Sequence, residues 1–122
     1  VEPTIVTDLK QDSYIVQNEL FLPVLAIMKI SNLDDGIKRI NSSDYGLTGG
    51  IFTEDPAEIQ KYFNEAEVGV VYANRERGGS TGAMVGSQPF VGWKLSGISG
   101  KGTGSFYYLQ QFLREQSQTI AH

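Results

Sequence analysis

The sequence predicts an α/β fold, with an open and partly parallel sheet and helices packed beside it. Short apolar segments rich in β-branched residues alternate with segments whose apolar residues recur every three or four positions, which are the patterns of strands and of helices. A helix between two strands favours parallel pairing of those strands. The chain is 40% hydrophobic and 20% charged, the composition of a protein with a packed core.

Two strands and a helix are predicted in the first third of the chain. Residues 4–9 alternate apolar and polar side chains, and residues 24–30 are almost continuously apolar, as in a strand buried on both faces. Asn32 is then the expected N-cap of a helix, because two aspartates follow it in the first turn, where the helix dipole favours acids. We expect this helix to end near residues 41–43.

The central third is predicted to be a strand, a helix and a strand. Residues 47–53 and residues 68–72 are apolar and rich in β-branched side chains, as strands are. Between them, Asp55 is a suitable cap and Pro56 occupies the favoured first helical position. Apolar residues from Ile59 to Ala66 then recur at helical spacing, so this helix is the clearest element of the sequence.

The last third is less regular. Residues 75–104 are rich in glycine and are predicted to form a long functional loop that packs on something outside this chain. A final short helix is expected from Leu109, followed by an extended polar strand that runs to Ile120. We therefore divide the chain into a main portion, residues 1–110, and a terminal tail, residues 111–122.

Composition excludes several classes of function. The net charge of −4 and the pI near 4.9 argue against a nucleic-acid phosphate grip, which needs clustered basic residues. No apolar run approaches the roughly 20 residues of a membrane-spanning helix. The chain has no cysteine, so it contains neither a thiol nucleophile nor a thiolate metal site, and its single histidine is the terminal residue His122. We accordingly expect no metal, no nucleic acid and no membrane as partners.

Two side chains near the start of the second strand have the chemistry to hold a nucleotide. Glu19 and Phe21 are two positions apart, so in an extended segment they face the same side. A carboxylate can accept from the two hydroxyls of a ribose while a ring packs on the attached heterocycle. The alternative is a solvated glutamate beside a core phenylalanine, and the short pattern alone favours that alternative.

The glycine-rich segment contains two further candidate sites. Residues 78–83 include three glycines, which let successive backbone N–H groups converge on an anion, although the same composition is typical of a flexible loop tip. The spacing is not that of a P-loop, because no Gly-Lys-Ser/Thr follows. Phe90 and Trp93 either form the wall of a pocket or pin the loop to the core, and their spacing leaves both readings open.

Taken in order, seven short motifs make the chain resemble the aldehyde dehydrogenase superfamily. The motifs are Glu19-x-Phe21-x-Pro23, Tyr45-Gly46-Leu47, Asn74-Arg75, Thr81-Gly82-Ala83, Gln88-Pro89-Phe90-x-Gly92, Lys94-x-Ser96-Gly97 and Lys101-x-x-Gly104. The run from Asn74 to Phe90 is most similar to the 1-pyrroline-5-carboxylate dehydrogenase branch, whose members oxidise glutamate semialdehyde to glutamate in proline catabolism. The resemblance implies the C-terminal part of the catalytic domain of such an enzyme, ending in an oligomerisation strand.

The resemblance also implies residue roles, with NAD as the cofactor. Glu19 corresponds to the carboxylate that holds the nicotinamide ribose, and Phe21 to the ring beside the nicotinamide. A loop that includes Ser80, Gly82 and Ala83 corresponds to the anchor for the carboxylate of the substrate. Phe90 corresponds to an aromatic wall of the aldehyde tunnel, and the tail to a strand given to a neighbouring subunit of a homo-oligomer.

No catalytic residue is expected in this chain itself. The chemistry of the family needs a cysteine nucleophile and a dinucleotide-binding domain, which the resemblance places upstream, so the chain alone is expected to be inactive. The implied location is the cytoplasm, or the mitochondrial matrix in a eukaryote. The sequence departs from the usual pattern at Leu22, Val91 and Ser105-Phe106, where the family has glycine, glycine and Gly-Pro. Two alternatives remain: a non-enzymatic interaction module with the same fold, and a branch specific for another semialdehyde such as that of succinate.

Overall fold

The structure is a computed structural model, which describes residues 1–76 and 88–122. Its first unit is a parallel strand pair, β1 (Thr4–Val6) with β2 (Val24–Ala26), joined through the short helix α1 (Tyr14–Gln17). Both strands are shorter than predicted. β1 ends early because Asp8 adopts a positive φ of 56°, which turns the chain away from the pair.

The second unit begins with helix α2 (Leu33–Asn41), which confirms the predicted helix and its cap. The side chain of Asn32 accepts a hydrogen bond of 2.9 Å from the backbone N–H of Asp35. One turn later the guanidinium of Arg39 donates to the Asp35 carboxylate at 2.9 Å. That contact, assisted by the Ser31 N–H, lowers the pKa of the Asp35 carboxyl group from its ordinary value.

Helix α3 (Pro56–Glu65) also forms as predicted, with the Asp55 carboxylate accepting from the Ala57 N–H at 2.8 Å. It connects β4 (Thr48–Ile51) to β5 (Val70–Ala73), which pair in parallel. This β–α–β unit and α2 enclose the hydrophobic core, whose buried side chains are Ile37, Tyr62, Ala66 and Val68.

A third strand pair was not predicted. β3 (Tyr45–Gly46) pairs in antiparallel fashion with β6 (Trp93–Lys94), and an isolated bridge joins Phe90 to Thr103. The expectation that residues 75–104 are an irregular loop is therefore wrong for the part that holds β6. The segment folds back on the strands β3, β4 and β5, which we call the strand unit. Trp93 and Lys94 lie opposite residues 47 and 49 positions earlier in the chain, which local pattern cannot reveal.

The terminal region contains a 3₁₀ helix, Leu109–Phe112, in place of the short α-helix that was expected. Residues 113–122 are exposed and belong to no helix or strand of this chain. None of the helices formed by residues 1–76 and 88–122 is long and apolar enough to cross a membrane.

Two details of the predicted sheet need correction. The strands form three separate two-stranded sheets and not one open sheet, although two of the three pairs are parallel as expected. Residues 24–30 are not buried on both faces, because β2 pairs only with β1 and the outer face of that pair carries Leu25, 55% exposed, and Ile27, 43% exposed. Apolar side chains that point outward in this way are suited to contacts with further protein.

Candidate functional site

Glu19 and Phe21 lie in the segment that joins α1 to β2. The helix is closed by Asn18, whose backbone and side-chain N–H groups both donate to the Tyr14 carbonyl, at 3.0 and 3.1 Å. The segment is not extended throughout, since Phe21 has a positive φ of 52°. Even so, Glu19 and Phe21 line one hollow of about 320 Å³, which we call the Phe21 hollow. The structure thus brings the two side chains together by a turn and not by strand alternation.

Glu19 also borders a second hollow, on the side of the strands β3 and β6. This Glu19 hollow has a volume of about 300 Å³. Its wall is completed by Val16, Gln17, Asn18, Tyr45, Leu47 and Ser96. The carboxylate is exposed, so its oxygens are available to donors from a ligand.

Phe90 lies on a third hollow, which we call the Phe90 hollow, of about 440 Å³. Its wall is mainly the glycine-rich segment and the 3₁₀ helix, including Val91, Ile98, Lys101, Thr103, Tyr108 and Phe112. Leu47 and Ser96 line this hollow and the Glu19 hollow as well. The two hollows are therefore neighbours, since they have these two residues in common.

Glycine allows residues 88–104, which we call the Phe90 segment, to approach the strand unit closely. A Cβ on Gly69, at the entrance to β5, would overlap the backbone carbonyl of Val91. A Cβ on Gly102 would overlap the carbonyl of Phe90, so the two ends of the segment are also in close contact with each other. A hydrogen bond also holds the segment in place, since the Ser96 hydroxyl accepts from the Gly46 N–H at 3.1 Å. Substitution of Gly69 or Gly102 would force these backbones apart.

Two residues of this region escaped the sequence analysis. The sequence indicates Ser96 and Lys94 only as members of a motif. In the structure, Ser96 holds the segment against Gly46. The Lys94 ammonium group reaches the end of α2, where it donates to the Asn41 carbonyl at 2.6 Å. The motif was a signal that these positions matter. It carried no information on what they contact.

Three of the predicted site residues, Ser80, Gly82 and Ala83, lie outside the described residues. Of the predicted departures, Leu22 is partly exposed on the wall of the Phe21 hollow and Val91 lies on the wall of the Phe90 hollow. Within residues 1–76 and 88–122, no group of three histidine, cysteine, aspartate or glutamate side chains is placed to hold a metal ion.

Comparison with known sequences gives a match to one protein family. The model of the aldehyde dehydrogenase family matches residues 1–118. A curated relative, 1-pyrroline-5-carboxylate dehydrogenase of Staphylococcus aureus strain JH1, is 44% identical over 116 residues. That match covers 95% of this chain and 22% of the relative, so the chain spans about a fifth of the length of the curated relatives it matches.

Solved structures of similar proteins agree in fold. The chain superposes on 1-pyrroline-5-carboxylate dehydrogenase from Thermus with bound NAD at a TM-score of 0.81 and 38% identity, covering 92% of this chain and 21% of that one. It also superposes on proline utilization A from Bdellovibrio bacteriovorus, inactivated by N-propargylglycine, at a TM-score of 0.80 and 46% identity. That superposition covers 90% of this chain and 11% of the other.

Proposed function

The chain belongs to the aldehyde dehydrogenase family, and from this premise we propose that it is part of an NAD-dependent enzyme that oxidises L-glutamate 5-semialdehyde to glutamate in proline catabolism. In this proposal residues 1–110 are the C-terminal portion of the catalytic domain. The identity of 44% to a 1-pyrroline-5-carboxylate dehydrogenase supports the choice of branch. This chain has no cysteine, so the nucleophile belongs to another part of the full-length protein.

The observation that carries the proposal is the adjacency of the Glu19 hollow and the Phe90 hollow. Oxidation of an aldehyde by NAD moves a hydride from the aldehyde carbon to the cofactor, so the two ligands must lie in contact. The family resemblance assigns Glu19 to the cofactor and Phe90 to the substrate. Their hollows share Leu47 and Ser96, which supports a site with both ligands side by side.

The cofactor side suits a nicotinamide ribose. Glu19 offers an exposed carboxylate whose two oxygens can each accept from one of two neighbouring hydroxyls. Phe21 is 89% exposed and lines the Phe21 hollow together with Glu19, so its ring is free to pack on a flat heterocycle. NAD, when bound, supplies the hydride acceptor. The role of the two residues is to hold and orient it.

The aldehyde side is assigned to Phe90 together with the loop of Ser80, Gly82 and Ala83. Phe90 is half-buried on its hollow, so its ring can contact the carbon chain of a substrate without moving far. We assign the α-carboxylate of the semialdehyde to backbone N–H groups of Gly82 and Ala83, with help from the Ser80 hydroxyl. Glycine supports this assignment because no Cβ blocks the approach of the anion.

The tail, residues 111–122, is assigned to pairing with another subunit of a homo-oligomer. Residues 113–122 are exposed and form no strand within this chain. They include two apolar side chains, Leu113 and Ile120, which are 71% and 81% exposed. An extended segment of this kind is suited to strand addition at the edge of a neighbouring sheet. We place the enzyme in the cytoplasm, or in the mitochondrial matrix if the source is eukaryotic.

Removal of the tail tests the subunit assignment. The full-length protein without residues 111–122 is expected to form a smaller assembly than the intact protein, since the added strand is lost. Light scattering gives the mass of each. The same assembly in both would contradict the role of the tail.

Substrate preference tests the enzymatic assignment. The full-length protein should form NADH from glutamate semialdehyde with a kcat/KM about tenfold or more above that for succinate semialdehyde. Succinate semialdehyde is shorter and lacks the α-amino group, so its carboxylate does not reach the anchor when its aldehyde carbon is at the reacting position. Initial rates with both aldehydes give the ratio. Equal or reversed rates would assign the protein to another branch, and the absence of NADH formation with either aldehyde would favour a non-enzymatic module.

A further inference from the structure

Lys94 differs from a solvated surface lysine in the number of partners its ammonium group has. The Nζ atom donates to the Asn41 carbonyl at 2.6 Å and to the Ser43 carbonyl at 3.1 Å, and it pairs with the Glu67 carboxylate at 2.8 Å. An ammonium group has three N–H donors, so all of them have an acceptor. The side chain is only 24% exposed. Lys94 is therefore held in one position.

The backbone of Lys94 is also unusual, with a positive φ of 52°. Residues other than glycine rarely occupy this left-handed region, and they remain there where the surrounding structure determines their conformation. Immediately before Lys94, the Trp93 backbone pairs with Gly46 in the strand pair β3–β6. Immediately after it, the Leu95 N–H donates to the Asp44 carbonyl at 3.0 Å. Lys94 thus lies where the backbone of the segment changes direction while it stays hydrogen-bonded to the strand unit on both sides.

The acceptors of Lys94 join three elements. Asn41 ends α2, and carbonyls at the end of a helix lack partners within it, which makes them good acceptors for a cation. The Asn41 side chain in turn donates to the Glu65 carbonyl and accepts from the Glu67 N–H, both at 2.8 Å. We call Asn41, Ser43, Glu67 and Lys94 the Lys94 cluster. It ties the ends of α2 and α3 to β6.

The connection from Lys94 to Phe90 leaves little freedom. A Cβ on Gly92 would overlap the carbonyl of Ser96, so the chain before and after Lys94 is in backbone contact with itself. The Val91 carbonyl lies against Gly69 on the strand unit. Phe90 itself is held by its N–H, which donates to the Thr103 carbonyl at 3.0 Å. A shift at Lys94 would therefore move the Phe90 wall, since close-packed backbone cannot absorb it.

From these contacts we propose that Lys94 is a positioning residue for the aldehyde side of the site: its ammonium group fixes the glycine-rich segment that carries Phe90, and so sets the shape of the Phe90 hollow. This inference rests on the proposed function for the identity of the ligand in that hollow. Lys94 itself lines none of the three hollows, so it acts through the backbone that precedes it. Residues 90–92 line the Phe90 hollow and neither of the other two, which directs the influence of Lys94 to the aldehyde side.

Lys94→Met in the full-length protein tests the proposal, since methionine keeps an apolar stem and removes the three donors. Lys61→Met is the matched control. Lys61, on α3, bridges to α2 through Asp34 at 2.7 Å and pairs with Glu65 of its own helix at 3.4 Å, but it lines none of the three hollows. We expect Lys94→Met to raise the KM for the aldehyde about tenfold and to leave the KM for NAD within about twofold. Hydrogen exchange at residues 88–104 should become faster in this variant alone.

Two further measurements keep the outcome decisive. If Lys94→Met does not fold, Glu67→Gln removes the negative charge of one partner and keeps the two carbonyl bonds, so a smaller rise in the aldehyde KM is expected. Lys94→Arg keeps the charge and should recover part of the loss. Equal effects of Lys94→Met and Lys61→Met on both KM values and on exchange would overturn the proposal. If the unmodified protein oxidises no aldehyde, the proposed function fails, and exchange at residues 88–104 alone decides the role of Lys94.

Discussion

Residues 33–73 and residues 88–122 are stabilised in different ways. The first region contains all five buried apolar residues of the described chain, among them Ile37, Tyr62 and Val70. In the second region only Gly92 and Gly102 are buried, and most of its large apolar side chains face solvent, with Phe90 half-buried. The first region is held by burial of side chains and the second by close backbone contacts and hydrogen bonds to the first.

This difference relates to function. The first region buries its core side chains and serves as the base on which β6 and the Phe90 segment lie, while only Tyr45 and Leu47 of this region reach the walls of the Glu19 and Phe90 hollows. The second region keeps side chains such as Phe90 and Phe112 on the wall of a hollow. It also exposes residues such as Ile98 and Phe106 completely. Exposure on this scale is suited to contacts with the remainder of a longer protein.

The largest expected effect lies in the first region. Ile37→Ala in the full-length protein should lower the free energy of unfolding by about 2–4 kcal/mol, because it removes a buried side chain and leaves a cavity. Ile98→Ala is the comparison. It should cost about 1–2 kcal/mol if the rest of the protein covers Ile98, as we expect. Denaturant midpoints of the two variants give the values, and a cost below about 0.5 kcal/mol for Ile98→Ala would indicate that this side chain remains in solvent.

The same division explains which elements could be predicted from the sequence. Helices α2 and α3 were predicted because their caps, Asn32 and Asp55, act on backbone N–H groups only two or three positions away. The pair β3–β6 was missed because it joins two-residue strands that are far apart in the chain, Tyr45 being opposite Lys94. Local spacing contains no information on such a contact.

The candidate site was predicted in part. The order of the motifs indicates Glu19, Phe21 and Phe90, and the structure brings Glu19 and Phe21 together on the Phe21 hollow. Glu19 also borders the Glu19 hollow, which is the neighbour of the Phe90 hollow. The positive φ of Phe21 was not predictable, since phenylalanine carries no preference for it. Nor was the role of Lys94, because two of its three partners are backbone carbonyls, which every residue has.

The central claim is that one region of the chain holds the cofactor and an adjacent one the aldehyde. Two single substitutions in the full-length protein test this claim, Glu19→Gln on the cofactor side and Phe90→Ala on the aldehyde side. Loss of a charge-assisted hydrogen bond costs about 1–3 kcal/mol, so Glu19→Gln should raise the KM for NAD about tenfold and leave the aldehyde KM nearly unchanged. Phe90→Ala should do the reverse, since it removes a ring from the wall of the Phe90 hollow, to which we assign the aldehyde.

The most direct measurement is therefore the set of KM values for NAD and for glutamate semialdehyde in these two variants. Glu54→Gln and Phe52→Ala serve as controls, because both side chains are exposed and neither lines the three hollows of the site. We predict a crossed pattern, in which each site variant affects one ligand and neither control affects either. Equal changes of both KM values in Glu19→Gln and in Phe90→Ala would contradict the division of the site.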